Sequence, residues 1–187
     1  IAGHGTQTFT QTVMNSCNPA FIEWGRRVGV DNFYLYMSKL GLLEKTGIDI
    51  AGEASTIIHK KENVGEVELA TMSFGQSFQI TPMQMLRAAC AIVNGGKLIT
   101  PHFAVKTTDS SGNVVQEFAY NTQENAIEKE TSDTMRDILR QVVEEGGGKK
   151  AYIEGFSIGG KTATSQKLPR GSGKYIASFI GFAPVSN

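Results

Sequence analysis

A chain of 187 residues with 18 basic and 18 acidic side chains carries no net charge, which removes the electrostatic footprint of a nucleic-acid or anionic-lipid binder. Its length and 40% hydrophobic content suit one domain with a proper core, and no apolar run approaches the ~20 residues of a membrane span. Cys17 and Cys90 are far apart, and His4, His59 and His102 each lack a neighbouring ligand, so two buried free thiols are expected rather than a disulfide framework, and no structural metal.

In chain order, residues 6–28 read as two helical pieces. Phe9 and Val13 share one face, then Phe21, Trp24 and Val28 continue at spacings of three and four. Between them stands Asn15-Ser16-Cys17-Asn18-Pro19. Pro19 disfavours helical geometry at Asn18, predicting a turn that exposes Ser16 and Asn18. An ordinary Ser/Asn helix junction reads the same way, since both are common caps. The next helix begins near Asp31 with Phe33, Tyr36, Met37 and Leu40 as its buried stripe, and Gly41 and Gly47 bracket its end. Residues 48–67 lack a clean period and are expected to be irregular; residues 71–79 are polar and glycine-bearing. Thr81-Pro82 then reads as an N-cap followed by proline at the first helical position. Leu86, Ala89, Cys90 and Val93 form the expected stripe, and Asn94-Gly95-Gly96 is the stop.

Residues 98–101 are short and extended. Residues 103–108 and 114–118 flank Asp109-Ser110-Ser111-Gly112-Asn113, a hairpin signal. A helix follows a Thr131/Ser132 cap, with Met135, Ile138, Leu139, Val142 and Val143 as its stripe, and Gly146-Gly147-Gly148 ends it. Two strands close the chain, 157–165 and 175–183, joined by the turn Leu168-Pro169-Arg170-Gly171-Ser172-Gly173. Helices first and an antiparallel pair last predict an α+β class, an antiparallel sheet covered by helices.

The most distinctive stretch lies in the first of these strands: Gly159-Gly160-Lys161-Thr162-Ala163-Thr164-Ser165-Gln166. If extended, Lys161 and Ala163 share one face and Thr162 and Thr164 the other. Small residues leave the backbone open for a ligand lying alongside as a further strand. Two readings compete. Gly155-Phe156-Ser157-Ile158-Gly159-Gly160-Lys161-Thr162 satisfies the phosphate-loop pattern of an NTPase. That loop needs an apolar strand before it and a helix N-terminus after it, whereas Glu144-Glu145-Gly146-Gly147-Gly148 precedes and a Pro/Gly turn follows. The other reading is the substrate-lining strand of a serine acyl-transferase, whose set is S-x-x-K, an S-x-N triplet and K-T-G.

Ser16-Cys17-Asn18 is such a triplet, and Lys161-Thr162-Ala163 nearly matches K-T-G. Ser73-Phe74-Gly75-Gln76-Ser77-Phe78-Gln79-Ile80-Thr81-Pro82-Met83-Gln84, followed by Asn94-Gly95-Gly96, resembles the G-Q…T-P-x-Q…N-G-G segment of class B penicillin-binding proteins. Gly3-His4-Gly5-Thr6-Gln7 and Lys174-Tyr175-Ile176-Ala177-Ser178-Phe179-Ile180-Gly181-Phe182-Ala183-Pro184 resemble the same family. Five motifs in the family's order carry the resemblance over nearly the whole chain. It is weakest near residues 50–65 and closest to the division- and sporulation-type transpeptidases of Gram-positive bacteria.

The resemblance implies a penicillin-binding transpeptidase or serine β-lactamase-like fold and a peptidoglycan D,D-transpeptidase that cross-links stem peptides through an acyl-serine enzyme and binds β-lactams, with no cofactor or metal. It implies that Ser16 relays a proton, Asn18 binds the acyl-side amide, and Lys161 holds Ser16 and helps balance the substrate carboxylate. Thr162 and Thr164 bind that carboxylate beside Ala163, with the Thr164 N–H as one oxyanion donor. It places the parent protein at the outer face of the bacterial membrane, anchored by an N-terminal segment, in a division or sporulation complex.

Two departures stand against the pattern. No S-x-x-K occurs in the 187 residues; Thr164-Ser165-Gln166-Lys167 is the nearest approach and lies inside the motif strand. Residues 1–187, which open mid-motif without an initiator methionine, are therefore expected to be part of a transpeptidase domain. The nucleophile would lie upstream and a closing strand and helix downstream, leaving a fragment that is inactive alone and prone to self-association. A scaffold or interaction module that kept the fold without the chemistry is the alternative. Ala163 also stands where the family carries glycine, its methyl on the Lys161 face.

Overall fold

The computed structural model describes residues 3–167, 169 and 171–186; Ile1 and Ala2 of the opening motif, and Leu168 and Arg170 of the expected turn, lie outside the described residues. In chain order the elements are α1 (Phe9–Met14), α2 (Asn18–Lys39), α3 (Glu66–Ser73), α4 (Pro82–Val93), β1 (Leu98–Ile99), β2 (Lys106–Thr108), β3 (Val114–Glu117), β4 (Thr122–Gln123), α5 (Lys129–Glu144), β5 (Gly159–Gln166) and β6 (Tyr175–Phe182). The class is α+β. Among the described residues the strands form three two-stranded antiparallel ladders, β1–β4, β2–β3 and β5–β6, rather than one sheet. The chain divides into two compact units, residues 1–29, 64–77 and 133–187 in one and residues 30–63 and 78–132 in the other.

In the first unit, α1 starts on a reciprocal cap. The Thr8 hydroxyl accepts from the Gln11 N–H at 3.2 Å and Gln11 Oε1 accepts from the Thr8 N–H at 2.9 Å, satisfying donors that a helix start leaves orphaned. Val13 of α1 packs on Ile138 and Val142 of α5, with Met14, Phe21 and Met135 around them. Full burial of such side chains stabilises by about 1.5–3 kcal/mol each. The α5 stripe follows the sequence periodicity, but Ser132 is not its cap: the helix begins at Lys129. β5 and β6 pair without a bulge from Gly159↔Phe182 to Gln166↔Tyr175. α3 is absent from the sequence reading. Its eight residues are weakly amphipathic, and its start is signalled only by Glu68, whose carboxylate accepts from the Gly65 N–H at 2.9 Å.

The second unit begins as α2 passes Gly29, whose φ of 74° breaks the helix. Its core holds Ala91, Leu98 and Ala126, with Leu40 against them. α4 is bounded as expected by Thr81, Pro82 and Asn94, yet its inward face is rotated. Gln84, Arg87, Ala88 and Ala91 are buried, whereas Leu86 is 49% exposed. The polar pair is tolerated because most of it is bonded: Gln84 Nε2 donates to Glu44 O at 2.6 Å and Thr56 Oγ1 at 2.7 Å, and Arg87 Nε donates to Ile99 O at 2.9 Å, while Arg87 Nη1 makes no hydrogen bond and lies 3.7 Å from Glu44 Oε1. The same unit buries Tyr34 in place of the expected Tyr36, since Tyr34 donates its hydroxyl to His59 O at 2.6 Å. Ser132 works here, donating to Ile92 O at 2.7 Å and accepting from the Gly95 N–H at 3.0 Å. The two-residue β4, too short to carry a period, pairs with β1.

Candidate active site

The turn between α1 and α2 places Ser16 and Asn18 on the surface and tucks Cys17 beneath them. Ser16 has φ +50°, a left-handed conformation that costs a non-glycine residue about 1–2 kcal/mol and persists only where its surroundings hold it. Ser16 N–H donates to Val13 O at 3.1 Å and Cys17 N–H to Thr12 O at 3.0 Å. Pro19 sits in the first turn of α2, where its missing N–H removes no helical bond. Both Cys17 and Cys90 are free thiols. Hydrogen bonds from the His4 side chain, the Ala20 backbone and the Gln7 side chain hold the Cys17 thiol below its ordinary pKa.

Lys161 reaches this turn from β5, across 145 positions of sequence. Its Nζ donates to Ser16 Oγ at 2.8 Å and to Thr162 O at 2.9 Å. Burial pushes the Lys161 ammonium below its ordinary value, because desolvation disfavours the charged form. An ammonium with a weakened hold on its proton, bonded to a hydroxyl free to donate onward, can pass a proton through Ser16. Beyond it, Ala163 and Thr164 are exposed and Thr162 is partly covered, so the row of small residues is open.

Gly159 and Gly160 are demanded by β6 rather than by a phosphate. A Cβ on Gly159 would lie 2.3 Å from Phe182 Cζ, and one on Gly160 would lie 2.4 Å from Phe179 Cζ. Lys161 and Thr162 continue as strand through Gln166. Among the described residues no helix follows, and the phosphate-loop reading fails for want of the N-terminal amides it requires.

Sequence reasoning missed two supports of the turn. The Gly147 N–H donates to Met14 O at 3.1 Å. The glycine run does more than stop α5: a Cβ on Gly146 would lie 3.1 Å from Met14 Cβ, and one on Gly148 3.0 Å from Val142 O. Three consecutive glycines where a helix stop needs one were the available signal. Gln7 Oε1 accepts from Asn15 Nδ2 at 2.8 Å, an eight-residue spacing that no helical or strand period marks.

The family model described as "Penicillin binding protein transpeptidase domain" matches residues 1–187. Stage V sporulation protein D of Bacillus subtilis is 43% identical over 189 residues, covering 99% of this chain and 29% of that protein. The probable peptidoglycan D,D-transpeptidase PenA of Neisseria meningitidis is 28% identical, covering 94% of this chain and 29% of that protein. Penicillin-binding protein 3 of Mycobacterium tuberculosis, in its crystal structure complexed with ampicillin, superposes with a TM-score of 0.86 at 27% identity over 96% of this chain and 42% of that one. The chain thus spans under a third of the length of these two relatives. Among the described residues no helix is long and apolar enough to cross a membrane.

Proposed function

The chain belongs to the penicillin-binding protein transpeptidase family, and on that premise we propose that it supplies two of the three catalytic motifs of a peptidoglycan D,D-transpeptidase. The whole protein cross-links stem peptides through an acyl-serine enzyme. The observation that carries this reading is the 2.8 Å bond from Lys161 Nζ to Ser16 Oγ beside an open strand of small residues.

Ser16 relays the proton between the nucleophile's lysine base and the leaving or attacking amine, and Lys161 holds its hydroxyl in register. Asn18 takes the acyl-side amide. Thr162 and Thr164 bind the terminal carboxylate, whose charge Lys161 helps balance, while the substrate backbone runs along β5 past Ala163. The Thr164 N–H is one donor to the developing oxyanion. The nucleophilic serine and its lysine belong to residues outside this sequence, so the 187 residues form part of a transpeptidase domain. The whole protein takes β-lactams as substrate mimics, works at the outer face of the cell membrane from an N-terminal anchor, and serves a division or sporulation complex. The isolated segment self-associates, since Tyr175, Ile176 and Phe179 of β6 are about half exposed beside a strand edge.

Fluorescent penicillin tests the reading. The full-length polypeptide takes up one equivalent covalently, and both Ser16→Ala and Lys161→Ala slow that uptake at least tenfold. The 187-residue segment stays unlabelled and sediments as more than a monomer. Stoichiometric labelling of the segment overturns the assignment of the nucleophile to outside residues. A full-length polypeptide that takes no label favours the second reading, a scaffold that kept the fold, for which the missing S-x-x-K is the supporting observation.

A further inference from the structure

The Ser16 turn is held in a conformation its own residues disfavour, and the side chain that spans it comes from the other end of α1. Gln7 precedes the helix cap Thr8, and Asn15 is the residue that closes α1. Gln7 Oε1 accepts from Asn15 Nδ2 at 2.8 Å, so one side chain straps the six-residue helix from end to end and meets the turn immediately before Ser16. Gln7 is half-buried while Asn15 is exposed, which places the fixed end of the bond on Gln7. It therefore grips the residue immediately before Ser16 and not Ser16 itself. The Gly147 N–H separately secures Met14 O at 3.1 Å. The Ser16 hydroxyl is thereby left to the partner the chemistry uses, Lys161 Nζ.

We propose that Gln7 is a positioning residue for Ser16, its side-chain oxygen fixing Asn15 so that the left-handed turn presents the Ser16 hydroxyl to Lys161. The inference rests on the transpeptidase reading and deepens it. A hydroxyl that relays a proton must stay within hydrogen-bond reach of both partners. Losing the strap lets the turn relax toward ordinary backbone angles and carries Oγ away from Nζ, and small displacements of this kind cost rate steeply.

The test is the second-order rate constant for acylation of the full-length polypeptide by fluorescent penicillin, expressed per active enzyme. Gln7→Leu, which removes the acceptor, lowers it about tenfold, the size expected for losing one positioning hydrogen bond. Gln7→Glu, which keeps an oxygen acceptor at the same reach, recovers at least half of the original rate. Asn15→Ala removes the same bond from its exposed end and reproduces the Gln7→Leu defect, which keeps the test open should Gln7→Leu fail to fold. In a Ser16→Ala background neither substitution slows acylation further, because residues that act through one group are not additive. A Gln7→Leu enzyme that is less stable but acylates at the original rate overturns the inference and leaves the transpeptidase reading standing, as does a further tenfold loss in the Ser16→Ala background. A full-length polypeptide that is never acylated overturns both.

Discussion

The ring of Phe182 fills the space that a side chain on Gly159 would need: a Cβ there would lie 2.3 Å from Cζ and 2.5 Å from Cε1. The three nearest atoms all belong to that one ring. At Gly160 a Cβ would also meet the Ile180 carbonyl oxygen at 2.7 Å, and backbone cannot step aside. Gly159→Ala should therefore destabilise by about 1–3 kcal/mol, the usual size of an overpacking penalty, and pairing it with Phe182→Leu should restore part of that loss. Gly160→Ala should be rescued less by Phe179→Leu. Urea midpoints of the two double-mutant cycles on the full-length polypeptide measure the coupling; equal rescue at both sites would contradict the assigned clashes.

Lys161 gives a pH signature with a defined sign. Burial lowers its folded pKa below the ordinary value of 10.5, so between the two values the unfolded chain binds more protons than the folded one. The penalty is fully present below the folded pKa and fades as pH rises toward 10.5. Lys161→Met removes it, so the melting temperature of the variant relative to the parent should be most favourable near pH 7 and decline toward pH 10.5. A difference that does not change with pH would mean that the ammonium is not desolvated.

Ala163 is exposed and pairs with Ser178 on the outer half of β5. Its methyl is the one side-chain atom that the family's glycine would not carry there. If the substrate lies along this strand, the methyl crowds it at a cost of at least about 1 kcal/mol, and Ala163→Gly should speed β-lactam acylation about fivefold. The same change weakens the strand by about 0.5–1 kcal/mol, so rate and melting temperature should move in opposite directions. Unchanged acylation kinetics would place the ligand elsewhere.

Much of this architecture was readable from periodicity and punctuation, and the reasons divide cleanly. α5 was legible in its body and its end, from one helical period and the glycine run, though it starts at Lys129; the β5–β6 pair was legible from a run of small residues and a run rich in β-branched and aromatic ones, separated by a Pro/Gly stretch. α4 was legible in its limits and misread in its face. Leu86 and Cys90 were assigned to the core on hydrophobicity, whereas Gln84 and Arg87 are buried with partners from residues 44, 56 and 99 that no local pattern reveals. The site repeats the lesson. Ser16, Asn18 and Lys161 could be singled out as candidates because their motifs are short and local, and the fold brings Ser16 and Lys161 together. Gln7 and Gly147 were missed because they support the turn through a side-chain bridge and a backbone amide, neither of which leaves a spacing in the sequence.

Gln84 offers the sharpest check on that buried polar face. It is fully buried; its Oε1 accepts from the Thr81 N–H at 2.8 Å, and its Nε2 donates to Glu44 O and Thr56 Oγ1. Thr56 in turn spends its hydroxyl proton on Leu42 O at 2.7 Å, so both partners of Nε2 are acceptors. Gln84→Leu keeps the volume but leaves those acceptors and the Thr81 N–H unpaired, at about 1–3 kcal/mol for a stranded buried group, and the loss should be the same at pH 5 and pH 8. Gln84→Glu is nearly isosteric, yet it sets a second oxygen against two acceptors. The buried carboxyl is then driven to stay protonated and its folded pKa rises above the unfolded value. Its native-state contribution is intact below the unfolded pKa and lost as pH rises through the folded one, so Gln84→Glu should be much less stable at pH 8 than at pH 5 relative to the parent. Equal destabilisation at the two pH values would mean that the side chain at position 84 reaches solvent, and the rotated face of α4 would have to be abandoned.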